Sequence, residues 1–233
     1  MIRKSDHAYS LLNVRSVIPG PDVIDSESDP RERRRAAQRA VNRTEILDAA
    51  ECVFGEHGLR DGSIRQIALL SGFSPGAVYL FFDNKQHLFT ETLTRRGDEL
   101  IAALNAAAED DSPPLSKLHH IVDVTVAFFE ARPHFRRLLR QLSGGAPIVG
   151  SAFGTYASNG GQDFIAAMTI IAGVVADGQA AGEIRDGDTY ALAHLYSVLI
   201  NEHVLLASEM TSGRLTPAQF HELVDGMLRR PDR

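Results

Sequence analysis

Three observations predict an all-helical fold. Apolar residues recur at helical spacing along most of the chain, residues with capping chemistry stand at the starts of those segments, and no alternating strand pattern of useful length occurs. At 233 residues and 44% hydrophobic composition, the chain can bury a substantial core. Its single cysteine, Cys52, excludes an internal disulfide and makes a cysteine-based zinc site improbable. Among apolar helix residues, Cys52 reads as a small buried hydrophobe. The N-terminus lacks the apolar run of a secretion signal, and no stretch reaches the length of a membrane span. A reducing cytoplasm is the expected compartment.

Residues 1–40 are expected to be a flexible extension, punctuated by Pro19, Gly20, Pro21 and Pro30, with a short ordered piece around Leu11–Val17. The net charge is -6, yet residues 1–43 carry nine Lys/Arg against six Asp/Glu, so positive charge gathers before the helical core. Arg31, Arg33, Arg34, Arg35, Arg39 and Arg43 put six guanidiniums in thirteen residues. Such a run suits phosphates or a minor groove; its plainer reading is a solvated helical extension.

A first core helix is predicted over Arg43–His57. Asn42 is its cap, Gly58 its stop, and Ile46, Ala50, Val53, Phe54 and His57 its buried stripe. Ser63 with Gln66 has capping-box spacing, so a second helix starts at Ile64 with Ile67 and Ala68 on its inner face; Gly72 ends it. Ser74 caps a third helix, Pro75 fits its first turn, and Val78 and Phe81 turn inward. Asp83 with Gln86 then caps a long fourth helix over Asn84–Ala108. Two short helices joined by a glycine turn, residues 64–83, describe a helix-turn-helix whose second helix can enter a DNA major groove.

The rest stays helical. Leu118 to Phe129 forms one amphipathic helix, and Pro133 starts another through Leu142. Residues 143–161, with six glycines, read as a mobile connection. Two long helices follow, Gln162–Ala181 and Asp188–Ser208, and Thr216 caps a last one through Met227.

In Ile46-Leu47, Ala50, Phe54, Gly58, Ser63, Ile67-Ala68, Gly72, Ser74, Gly76, Tyr79, Phe82, Lys85 and Leu88, the chain resembles the DNA-binding domain of TetR-type transcriptional regulators. The resemblance covers about Arg43 to Ile101. Weaker likenesses lie at Arg132-Pro133-His134 and at Gly182-Glu183-Ile184-Arg185-Asp186. The family implies a homodimeric repressor or activator of a palindromic double-stranded operator. It further implies a domain over 41–101 that binds DNA and one over 102–233 that dimerises and holds an effector. The effector is expected to be a small apolar or amphipathic molecule, with no cofactor or metal.

Residue by residue, the resemblance implies phosphate contacts at Tyr79 and Lys85, and Ser63 can offer its hydroxyl or its helix N-terminus. Arg65 faces away from the core and is a candidate for a base edge. The recognition helix offers Ser74, Pro75, Gly76, Ala77, Tyr79 and Leu80 outward. Ala77 stands where the family often has Thr, and Leu80 where it often has a polar residue. Few donors remain, so Ala77 and Leu80 are expected to read thymine methyls, with Arg65 and the arm residues Arg33, Arg34, Arg35, Arg39 and Arg43 supplying charge.

In the C-terminal half, Ile165, Thr169, Ala172 and Ala176 form a small apolar face suited to a two-fold contact, or to packing within one subunit. Phe128, Phe129, Phe135, Met168, Glu202 and His203 are candidates for an effector cavity, or for plain core. His119, His120, His134, His194 and His203 lack the tight ligand spacing of a metal site. No P-loop, nucleophile elbow or GxGxxG follows a strand, which disfavours a helical enzyme carrying a DNA-binding head. A non-specific architectural DNA binder working through the arginine arm is the other alternative.

Overall fold

The computed structural model describes residues 29–142, 162–205 and 215–231. The expected ordered piece around Leu11–Val17 and the glycine-rich connection 143–161 lie outside the described residues. The chain divides into two compact units, Met1–Ala40 and Val41–Arg233.

Among the described residues, regular structure is entirely helical: α1 (Pro30–Asp61), α2 (Ile64–Ser71), α3 (Pro75–Val78), α4 (Lys85–Ala108), α5 (Pro114–Glu130), α6 (Pro133–Leu142), α7 (Gln162–Ala180), α8 (Thr189–Leu205) and α9 (Pro217–Leu228). The one extended contact is an isolated antiparallel bridge between Ile184 and Arg229.

In the first unit, Asp29 Oδ1 accepts the Arg31 N–H at 3.0 Å, a side-chain cap that starts α1 thirteen residues earlier than expected. Arg31 to Ala40 are therefore helical and exposed rather than irregular. Asn42 lies inside this helix rather than at its start. Gly58 breaks the helix where expected. It adopts φ 70°, ψ 178°, outside the helical region, and a separate short helical turn follows it to Asp61.

In the second unit, α1 contributes Ile46, Leu47, Ala50, Val53 and Phe54 to a continuous core. His57 leaves that stripe and faces solvent, because the break follows directly. Phe54 packs edge-on against Phe89 of α4, ring centroids 5.1 Å apart. Fully burying one such ring is worth about 1.5–3 kcal/mol. Cys52 is only half-buried, and burial, followed by the charges of Glu51, Glu56 and Asp48, pushes its thiol above its ordinary range. It is a poor nucleophile.

The short helices form where their caps stand. Ser63 Oγ accepts the Gln66 N–H, and Gln66 Oε1 accepts the Ser63 N–H at 2.9 Å, closing the capping box. Gly72 sits in the left-handed region at φ 75°, and its own N–H returns to the end of α2. Ser74 Oγ accepts the Ala77 N–H at 3.1 Å. The cap of α4 is shifted by one residue from the expected Asp83/Gln86 pair: Asn84 Oδ1 accepts the His87 N–H at 2.8 Å.

Helix α4 belongs to both halves of this unit. Its first turns bury Leu88, Phe89 and Leu93 under α1, and its later turns send Leu104 and Ala107 into a bundle with α5, α7 and α8. In that bundle Tyr196 is fully buried and its hydroxyl donates to the Leu118 carbonyl. Gly182 turns the chain at φ 77°, and the following bridge ties it to the end of α9, with Arg185 N donating to Leu228 O at 2.8 Å. Helix α9 starts at the predicted cap, Thr216 Oγ1 accepting from Gln219 N. Of the expected helix to Ser208, residues past Leu205 lie outside the described ones.

Candidate DNA-binding surface and effector cavity

Helices α2 and α3 meet through the Gly72 turn, with Val78 and Ile67 buried behind them. Beyond Val78 the chain continues as tight turns. Leu80 N donates to Ala77 O at 3.1 Å, and Phe82 N to Val78 O at 3.1 Å, so Tyr79 and Leu80 extend the outer face of α3. Tyr79 is 53% and Leu80 77% exposed, while Ser74, Pro75 and Gly76 are exposed at the start of the helix. Ala77 is half-buried, which leaves Leu80 the more accessible apolar contact. Arg65 is exposed on α2, as its position opposite Ile67 and Ala68 requires.

Two basic residues expected at this surface have intramolecular partners. Arg43 pairs with Glu91 and lies over the Phe82 ring, 5.2 Å from its centroid. It stitches α1 to α4 instead of standing free on the arm. Lys85 Nζ donates to Arg60 O at 3.1 Å and to Gly62 O at 2.9 Å, so two of its three donors satisfy carbonyls at the end of α1. Arg33, Arg34, Arg35 and Arg39 are exposed on the first unit's part of α1.

A cluster of charged side chains joins α1 to α4 behind this surface. Arg95 Nη2 donates to Asp48 Oδ1 at 2.7 Å, and Arg96 holds Glu51 and Glu99. Arg132, just past α5, reaches Glu99 at 3.1 Å and covers the Phe128 ring at 4.0 Å. Helix α6 rests on α1 as well: Gln141 Nε2 donates to Gly55 O at 3.0 Å.

Between α4, α5, α6, α7 and α8 lies a cavity of about 100 Å³. Its walls are mostly apolar, among them Leu100, Leu104, Phe129, Leu139, Met168 and Ile200, with Thr125, Asp163, Ser197 and Asn201 as polar points. Of the residues expected there, Phe129 and Met168 line it. Phe128 and Phe135 do not; Phe128 meets Phe129 edge-on and Phe135 stacks on it, both behind the wall as core. Glu202 and His203 point elsewhere, His203 lying 4.5 Å from the Phe220 ring of α9. The residues sequence reasoning missed, Gly97 and Asp163 above all, are distant in sequence and belong to no motif.

The small-residue face on α7 divides. Ile165, Thr169 and Ala176 are exposed, and Gly173 between them is open. Ala172 is buried within the chain, 8% exposed, because it sits one residue round the helix from that face. Exposed Tyr190 and Leu195 lie on α8. Among the described residues, no group of three His, Cys, Asp or Glu side chains has metal-binding geometry, and no helix is long and apolar enough to cross a membrane.

Residues 46–92 match the family described as bacterial regulatory proteins, tetR family. The HTH-type transcriptional repressor BepR of Brucella suis is 34% identical over 98 residues, covering 42% of this chain and 47% of that protein. The HTH-type transcriptional repressor KstR2 of Mycobacterium tuberculosis is 33% identical over 101 residues, covering 43% and 49%. The chain thus matches about half the length of these relatives. The solved structure of AibR in complex with isovaleryl coenzyme A and operator DNA superposes with a TM-score of 0.60 at 19% identity, over 82% of this chain and all of that one, which shows a shared fold. With its two caps, glycine turn and short second helix in place, the helix-turn-helix of this chain is similar to that of the tetR family of bacterial regulatory proteins over the matched residues 46–92.

Proposed function

We propose that the protein is a sequence-specific DNA-binding transcriptional regulator, a homodimeric cytoplasmic repressor whose operator affinity falls when a small molecule fills the cavity. It carries out no catalysis in this reading. The observation that carries it is α4: one helix holds both the back of the helix-turn-helix, through Leu88 and Phe89, and the cavity wall, through Leu100 and Leu104. A molecule that shifts the later turns of α4 moves the earlier ones, which is the differential coupling a two-state regulator needs.

In this reading 41–101 is the DNA-binding domain and 102–233 the effector and dimerisation domain. Helix α3 docks by shape, Tyr79 on phosphate and Leu80 on a thymine methyl, with Ser63, Ser74, Pro75, Gly76 and Ala77 at close approach and Arg65 at a base edge. The arm residues Arg33, Arg34, Arg35 and Arg39 supply phosphate affinity. Ile165, Thr169 and Ala176 of α7, with Leu195 of α8, form the face that meets a second copy.

Selection of bound sequences from a random DNA pool, with the full chain and with residues 1–40 removed, tests the reading. A palindromic site preferred by about a thousandfold over bulk DNA is expected, and a Tyr79→Ala, Leu80→Ala double variant should lose that preference. The exposed arm arginines favour one second reading, a non-specific architectural binder. Binding that follows salt alone, with no preferred sequence, would establish it instead.

A further inference from the structure

Asp163 stands in the first turn of α7 with its carboxylate directly over α4. A Cβ at Gly97 would lie 2.3 Å from Asp163 Oδ2, so no residue other than glycine fits beneath it without displacing it. This carboxylate closes one end of a cavity whose other walls are overwhelmingly apolar. Two of the remaining polar points are turned on the protein itself: Thr125 Oγ1 donates to Ile121 O at 2.7 Å, and Ser197 Oγ contacts Met168 Sδ at 3.4 Å.

Among the described residues, none that lines the cavity is Lys, Arg or His. Asp98, the neighbour of Gly97, adds a second negative charge, and burial together with that charge raises the Asp163 carboxyl above its ordinary range. The cavity therefore repels carboxylates and phosphates and rewards a ligand that brings positive charge to Asp163.

We propose that the cavity takes an amphipathic organic cation, an apolar body carrying one amine or ammonium group that pairs with Asp163. The proposal rests on the reading of this cavity as the effector site. An acyl-coenzyme A, the ligand class of the AibR structure, meets like charge here.

Calorimetric titration of the full-length protein with octylammonium, 1-octanol, octanoate and octanoyl-coenzyme A tests it. Octylammonium should bind at least about tenfold tighter than 1-octanol, which should in turn exceed the two anions. Asp163→Asn should bring octylammonium down to the level of 1-octanol, and Asp98→Asn should cut its advantage by a smaller factor in a protein whose cavity is otherwise intact. Octanoate or octanoyl-coenzyme A binding as tightly as octylammonium overturns the ligand class and leaves the effector reading standing. So does an octylammonium advantage that both variants retain. Octylammonium that binds through Asp163 without releasing DNA overturns the effector reading and leaves the ligand class standing. Binding of none of the four overturns both.

Discussion

Arg96 Nε donates to Glu51 Oε2 at 2.6 Å, joining α4 to α1 in a pair whose side chains are 15% and 8% exposed. A pair this enclosed holds position more than it adds stability, because desolvation offsets most of the attraction. Removing Arg96 leaves Glu51 facing Arg95 at 3.6 Å, and removing Glu51 leaves Arg96 on Glu99 at 2.8 Å. Arg96→Met is expected to lower unfolding stability by about 1–3 kcal/mol in urea titration, and Glu51→Gln by a similar amount, because the partners that remain soften the loss. Because both remove the same pair, the double variant should lose clearly less than the sum. The pair continues through Glu99 and Arg132 to Phe128, whose neighbour Phe129 lines the cavity. Double-mutant cycles between Phe129 and Glu51, read on DNA affinity with and without ligand, measure whether this contiguous path carries coupling.

Gly55 has no room for a methyl group. A Cβ there would meet the His134 carbonyl oxygen at 2.5 Å, backbone against backbone. Gly55→Ala gains up to about 1 kcal/mol of helix propensity but must push α6 off α1, at a cost of about 1–3 kcal/mol. A lower melting temperature is the expected net result, and a higher one would mean that α6 moves freely.

Affinity and specificity for DNA should separate by residue. Replacing Arg33, Arg34 and Arg35 with Ala should weaken binding to all sequences alike and reduce the slope of log K against log salt by about 0.9 for each lost phosphate contact. Leu80→Ala should leave that slope unchanged and cost about 1 kcal/mol only on the preferred site. Fluorescence anisotropy at several salt concentrations distinguishes the two.

Two aspartates give stability opposite dependences on pH. Burial pushes Asp225 up, but hydrogen bonds from Arg229 and His119 more than offset it, and its carboxyl lies below the ordinary 3.8. Its contribution is present above pH 3.8 and lost as pH falls through the lower folded value. Asp163 is raised by burial and by Asp98, so its contribution is present below pH 3.8 and lost as pH rises through the higher folded value. Asp163→Asn should therefore stabilise the protein at neutral pH and lose that advantage below pH 3.8, while Asp225→Asn should destabilise it at neutral pH. Melting temperatures across that range check both signs.

The helix-turn-helix was legible because its information is local. Ser63 with Gln66, Gly72, and Ser74 with Pro75 each specify a boundary within four residues. The start of α1 was not, since Asp29 and Pro30 sit in a stretch whose other residues suggest a loop, and a run of arginines reads equally well as arm or as helix. Arg43 looked like part of that run, and only the fold shows Glu91 and Phe82 beside it. The cavity was least legible. Phe128 and Phe129 are adjacent in sequence yet divide between core and lining, and Gly97 meets Asp163 across sixty-six positions of chain.

The outer face of α3 has a consequence for heat. Tyr79 and Leu80 present ring and aliphatic surface where hydrogen-bond donors are few. Docking such a face on thymine methyls releases ordered water, so association should carry a negative heat-capacity change. The binding enthalpy then grows steadily more favourable on warming while the affinity changes little. Calorimetry at a series of temperatures would show this as a falling line, shallower after Leu80→Ala.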